Sequence, residues 1–166
     1  MGLIDRFKKE DLPALDVEDD AIVAPANGKL IDVSTVSDQM FAQKMLGDSV
    51  AFAYDGDKVT ICSPANGELT TLFPTGHAFG ITRNDGVEIL VHIGIDTVNA
   101  KGDGFKTGKY KQGDKVKAGS PIVTVDLKKL KANYDMSTML IITNANGKTI
   151  QFIAPQDVKR GQSIIK

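Results

Sequence analysis

The chain has a single cysteine, Cys62, among 166 residues, so no disulfide can close within it. That usage fits a reducing compartment. Cys62 sits in the apolar-alternating run Val59–Cys62, where inert packing is expected instead of thiol chemistry. Excess charge is also missing: 20 Lys and Arg stand against 21 Asp and Glu, a net charge of −1, which argues against a large nucleic-acid footprint. No apolar run approaches the ~20 residues needed to cross a bilayer. The first residues lack the continuous apolar stretch and small-residue cleavage site of a secretory signal, and a cytoplasmic location is expected. Histidine occurs twice, at His77 and His92.

What remains is ordinary for a globular domain: 42% hydrophobic and 25% charged residues, enough for one core. Residues 1–20 differ from the rest. Leu3, Ile4 and Phe7 share one helical face beside Arg6, Lys8 and Lys9, ahead of an acidic stretch broken by Pro13. Two readings stand, a short amphipathic helix with weak membrane-surface contact and a flexible, frayed terminus. Arg6 excludes a myristoylation signal. The domain is expected over 21–166.

Short Val- and Ile-rich runs bounded by Gly, Asn, Asp and Pro fill that domain: Ala21–Ala24, Lys29–Val33, Val50–Tyr54, Lys58–Cys62, Glu68–Phe73, Phe79–Thr82, Val87–His92, Pro121–Val125, Met139–Thr143, Thr149–Ile153 and Ser163–Ile165. The pattern predicts an all-β sandwich or barrel. Two short helical turns interrupt it, Asp38–Lys44 with Ser37 as N-cap and Leu127–Ala132 with Asp126 as N-cap and Leu127 and Leu130 inward. APANGKL at 24–30 and SPANGEL at 63–69 agree at five of seven positions. They predict two equivalent Asn-Gly hairpins left by a duplication. The segment Gly113–Gly119 resembles the Gly-x-x-Val-x-x-Gly corner of lipoyl and biotinyl barrels, but no lysine has the sequence context of a swinging arm.

Both histidines belong to one predicted hairpin. Ala78–Ile81 and Val87–Val91 flank Arg83-Asn84-Asp85-Gly86, in which Gly supplies the positive φ of a tight loop. Folding there sets position 77 beside roughly position 93. Val87, Ile89 and Val91 alternate inward, so Glu88, Leu90 and His92 face outward. A plain three-residue loop would send His77 inward with Phe79 and Ile81. A bulge or loop after Gly76 would redirect it, and both rings are expected on one surface.

Imidazole can serve as nucleophile, acid, base or metal ligand near neutral pH. Thr75 and Asp96 are candidates to fix the two ring tautomers by hydrogen bonding. Three classes fit the pair. In phosphoryl transfer, one ring attacks phosphorus and the other steadies its oxygens. A zinc site needs a third protein ligand, for which Asp96 is the local candidate. The third class is a non-catalytic binding surface.

Residues 73–105, FPTGHAF…GVEILVHIGIDTVNAKGDGF, narrow the choice. Together with APANGKL, SPANGEL, and Phe41-Ala42-Gln43-Lys44 followed by Gly47-Asp48, they resemble the glucose-class enzyme IIA proteins of the bacterial phosphoenolpyruvate:sugar phosphotransferase system. The resemblance runs from about Ile22 to the C-terminus. It implies a β-sandwich with a duplicated hybrid motif. It also implies that His92 is the phosphorylated nucleophile, that His77 stabilises the phosphoryl group and that Thr75 orients His77. On the same basis the phosphate comes from the histidine-containing phosphocarrier protein and passes to a cysteine of a sugar-specific enzyme IIB domain. Phe41, Met45, Leu46, Phe73, Leu90 and Val98 match an apolar docking ring, and Asp38 and Asp96 match acidic groups that meet basic partners. No cofactor is required. An alternative role implied by the resemblance is regulation of permeases or glycerol kinase, with zinc bridging His77, His92 and a partner carboxylate. The chain departs from the common pattern at Ser49 and Ala100.

Overall fold

The computed structural model describes residues 12–44 and 46–166. Residues 1–11 of the expected N-terminal segment 1–20, with the apolar face of Leu3, Ile4 and Phe7, and the docking residue Met45 lie outside them. Among the described residues the strands are β1 (Gly28–Ile31), β2 (Asp48–Ala53), β3 (Lys58–Cys62), β4 (Gly67–Leu72), β5 (Ala78–Arg83), β6 (Glu88–Ile93), β7 (Phe105–Thr107), β8 (Lys115–Val116), β9 (Pro121–Asp126), β10 (Thr138–Asn144) and β11 (Gln156–Val158). Eight form one antiparallel sheet in the order β11-β1-β2-β10-β6-β5-β4-β8, and three form a second in the order β3-β9-β7. The main core lies between them. Phe52, Phe79, Ile81, Ile89, Val91 and Leu140 of the large sheet pack with Ile61, Val123 and Val125 of the small one. Period-two alternation puts these residues on one face. The all-β expectation is met, and Cys62 is fully buried.

Several expected elements shift. Residues 21–24, 149–153 and 163–165 make only the isolated bridges Val23↔Ser163 and Phe152↔Ile165. The first helical piece shortens to α1 (Gln39–Ala42), and its N-cap is Asp38, not Ser37. The Asp38 carboxylate accepts from the Met40 N–H at 2.8 Å, whereas the Ser37 hydroxyl is turned to Asp135. The second, α2 (Leu127–Lys131), starts at Asp126 as expected and buries Leu127 and Leu130.

The echoed turns are related by an approximate two-fold axis. Val23 N–H donates to the Pro64 carbonyl at 2.8 Å and Cys62 N–H to the Pro25 carbonyl at 2.9 Å. The Asn27 side-chain oxygen accepts from Arg160 N–H at 2.8 Å, and that of Asn66 from Ala118 N–H at 2.9 Å. Gly28 pairs with Val158 as Gly67 pairs with Val116. These turns are not hairpins. β3 and β4 belong to different sheets, so the second turn carries the chain across the sandwich. Neither Gly28 nor Gly67 has a positive φ. Gly67 is required by close approach: a Cβ there would lie 2.1 Å from the Thr82 carbonyl oxygen.

The boundary expected at residue 20 falls inside the packed unit. Leu15 N–H donates to the Ala118 carbonyl at 2.8 Å, and the Leu15 side chain lies against both Gly119 and Gly161. Asn66 holds the Val17 carbonyl at 2.9 Å, and Arg83 holds the Asp20 carbonyl at 2.7 Å. Residues 12–20 thus cross the seam between the halves as a strap.

The outer face of the large sheet is divided. Residues 32–44 fold over the β1-β2-β10 part, where Val33, Val36 and Phe41 bury Ala51, Met139 and Ile141 in a second, smaller core. Among the described residues the β4-β5-β6 part has no such cover, and the histidines lie at the border between the two.

Candidate functional site

The hairpin that carries the histidines closes as expected. Gly86 N–H donates to the Arg83 carbonyl, Arg83 N–H to the Val87 carbonyl, and Gly86 has φ +92. These bonds describe a three-residue loop with a left-handed final residue. The Arg83 guanidinium, itself buried, grips the Asp85 carboxylate at 2.8 and 2.6 Å. This contact holds the Asp85 carboxyl below its usual range.

From that turn the register runs Ile81↔Ile89, Gly80↔Leu90 and Ala78↔His92. Leu90 and His92 therefore face outward. Small residues oppose both of them, leaving room for an imidazole and for what approaches it. His77 lies one residue before β5, so strand alternation does not bind it. Gly76 at φ +78 turns the chain, Ile93 N–H donates to the His77 carbonyl at 2.7 Å, and the His77 ring meets the outward face. The two imidazole centroids are 5.4 Å apart with planes at 77°.

Each ring is oriented through Nδ1 by a different partner. The Thr75 hydroxyl is 2.5 Å from His77 Nδ1. A hydroxyl that donates there leaves the proton of the neutral ring on Nε2. His92 Nδ1 is 2.9 Å from the Gly94 carbonyl, which can only accept, so the proton is on Nδ1 and Nε2 carries the lone pair. Asp96, expected as a tautomer-fixing group, is corrected by this contact: the Gly94 carbonyl does that work. Asp96 adopts left-handed φ 60 and its side chain makes no capping bond. Gly94, at φ +79, aims its carbonyl back at the ring two residues earlier.

Phe41 packs on His92 with centroids 5.0 Å apart, and Phe73 meets His77 edge-on at 5.1 Å. Burial pushes the pKa of both histidines down, and at His77 the neighbouring His92 adds to the effect. At His92 the hydrogen bond to Gly94 and the carboxylates of Asp38 and Asp96 oppose it. Both shifts favour the neutral ring, the form in which one can attack and the other can donate.

Leu46, Phe73 and Val98 are exposed, and Leu90 is half-buried. Phe41 differs from the expected docking role: it is 6% exposed and supports His92 from below. Met40 beside it is 44% exposed, a position that the sequence does not single out because helical alternation makes Phe41 the more prominent apolar residue. Ser49 is buried in β2 opposite Ile141, and Ala100 packs on the main core. Among the described residues no group of three or more His, Cys, Asp and Glu is arranged to hold a metal. His77 and His92 alone could offer ring nitrogens to one. No described helix is long and apolar enough to cross a membrane.

Two imidazoles, each oriented through Nδ1 by a different partner, thus stand beside apolar and acidic residues. Residues 20–148 match the family model for the phosphoenolpyruvate-dependent sugar phosphotransferase system, EIIA 1. The chain belongs to this family. It is 41% identical over 144 residues to the PTS system glucose-specific EIIA component of Mycoplasma capricolum, covering 86% of this chain and 92% of that one. It is 43% identical over 138 residues to the protein of that name from Halalkalibacterium halodurans, covering 82% and 78%. The PTS system glucose-specific EIICBA component of Staphylococcus carnosus is 36% identical over 145 residues, 87% of this chain but only 21% of that longer protein. The solved glucose permease IIA of Mycoplasma capricolum superposes with a TM-score of 0.80 at 40% identity, covering 87% and 93%.

Proposed function

We propose that this EIIA chain is a cytoplasmic phosphotransferase component that carries a phosphoryl group on His92. The observation that carries the proposal is the His77–His92 pair, 5.4 Å apart, with Thr75 and Gly94 favouring opposite tautomers. His92 Nε2 attacks the phosphorus of the phosphohistidine on the histidine-containing phosphocarrier protein. The new N–P bond forms as the donor's N–P bond breaks in line. The His92 Nδ1–H keeps its bond to Gly94 and bears part of the developing positive charge. His77 Nε2–H donates to a phosphoryl oxygen and stabilises equatorial charge. In the second step a cysteine thiolate of an enzyme IIB domain attacks, the S–P bond forms and His92 regains its lone pair. The relatives named glucose-specific EIIA support the assignment to a glucose-class system, and the staphylococcal EIICBA protein supports an EIIB partner.

Incubation with phosphoenolpyruvate, enzyme I and the phosphocarrier should yield an acid-labile phosphohistidine on this chain. His92→Gln should abolish it. His77→Gln should still accept phosphate but transfer it onward slowly. Undiminished labelling of His92→Gln would overturn the assignment.

The exposure of Leu46, Phe73 and Val98 favours a second reading that can coexist with the first. The unphosphorylated chain binds and regulates a permease or a metabolic kinase through this surface, with zinc joining His77, His92 and a carboxylate of the partner. Phosphorylation would release the partner by introducing charge into an apolar interface. Retention of a partner permease or glycerol kinase by the unphosphorylated chain only would support it. Equal retention of both forms would refute it.

A further inference from the structure

Gly80 stands in the middle of β5, a place where glycine weakens a strand. Most glycines near the site have an evident backbone reason: Gly76, Gly86 and Gly94 take positive φ, and Gly67 approaches the Thr82 carbonyl. Gly80 has neither. Its φ is not positive, and a Cβ built on it would make only ordinary contacts, 3.5 Å to Thr71 Cβ, 3.7 Å to Thr70 Oγ1 and 3.7 Å to the Ile89 carbonyl oxygen. The bulge in β4, where the register shifts between Leu69 and Thr71, lies opposite but leaves this room.

The empty Cβ position faces a groove of about 320 Å³ on the uncovered part of the large sheet. Gly80, Phe73 and Leu90 line it, and among the described residues Glu88 is the one charged member of that lining. Leu90 is two residues before His92 on the same face, and Phe73 touches His77, so the groove opens beside the two imidazoles.

We propose that Gly80 is a specificity-determining residue, kept side-chain-free so that the groove admits one basic side chain of the phosphodonor protein. The stem of that lysine or arginine lies over Gly80 between Phe73 and Leu90, and its cationic head meets Glu88. Asp38 and Asp96 near His92 give the same neighbourhood a negative field, which suits a basic partner surface. This inference rests on the phosphocarrier reading.

The test is steady-state phosphotransfer from the phosphorylated histidine-containing phosphocarrier to the full chain, alongside thermal unfolding. Gly80→Ala should raise Tm by about 1–3 °C, because alanine suits the strand better and fits the space. Gly80→Val should raise KM for the donor by about tenfold or more, with kcat retained. Glu88→Gln should raise KM and flatten its dependence on salt. An unlabelled wild-type chain would refute the phosphocarrier reading itself. A labelled wild type with unchanged KM in folded Gly80→Val would overturn the role of Gly80 alone. A raised KM for Gly80→Val with wild-type salt dependence in Glu88→Gln would overturn the basic occupant.

Discussion

The two repeats of this fold make the same connection in different ways. In the first, β1 leads to β2 through residues 32–47, which include a 3-10 turn, α1 and a satellite core. In the second, β4 leads to β5 through residues 73–77 alone. Both connections end at the imidazole pair. The long one places Phe41 on His92 and supplies Asp38, and the short one places Phe73 on His77 and supplies Thr75. The difference shows how a duplicated scaffold becomes asymmetric in use. One loop is long enough to cover half of the sheet, and the other is short enough to leave a reactive edge open among the described residues.

Substitutions of the paired phenylalanines should separate the roles most sharply. Phe41→Ala removes a buried ring and should lower stability by about 3 kcal/mol in urea unfolding. Phe73→Ala should change stability by no more than about 0.5 kcal/mol, since its ring is already partly in water. It should instead slow transfer from the donor about tenfold. Equal stability losses in the two variants would show the loops to be structurally equivalent. An effect of the same size, but on the other half-reaction, is expected from Thr75→Val, which keeps the shape of the short loop but leaves His77 Nδ1 without its hydroxyl. Onward transfer to enzyme IIB should fall about 10-fold, with acceptance on His92 nearly unchanged.

The least effect concerns acid. Burial lowers the pKa of His77 and His92 in the folded chain, whereas the unfolded chain protonates them near 6.5. The stability due to neutral histidines is therefore complete above about pH 6.5 and declines as the pH falls toward the lower folded values. Unfolding curves taken in steps below pH 7 should show this loss, and the His77→Gln/His92→Gln double variant should not. Asp85, lowered by Arg83, acts in a separate window, losing its contribution as pH falls below its usual carboxylate value.

The hairpin is legible in the sequence because its information is local. Asn84-Asp85-Gly86 dictates the loop, alternation from Val87 to Val91 dictates the inward face, and together they place His92 outward. Asp126 likewise announces α2 through a short-range cap. His77 depends on the turn at Gly76, where alternation stops, so strand periodicity alone does not set the direction of its ring. The Gly94 carbonyl is hidden for another reason: every residue has one, and only the left-handed turn two residues after His92 aims it. Asn27-Gly28 and Asn66-Gly67 mislead for a third reason. Their composition signals a hairpin, but their side chains bond to residues far along the chain, Arg160 and Ala118. Long-range pairing, not local dihedral preference, decides their shape. The segment 32–47 shows a short helix in the sequence but neither its Asp38 cap nor its task as a cover, because nothing in a short apolar helix says which sheet face lies below it.

A dimeric arrangement made from one chain leaves a place on its axis that neither repeat can fill alone. Here Leu15 fills it, resting on Gly119 from one repeat and Gly161 from the other. The family match begins at residue 20, five positions later. A truncation to the shared region would uncover both glycines and let water into the joint between the repeats.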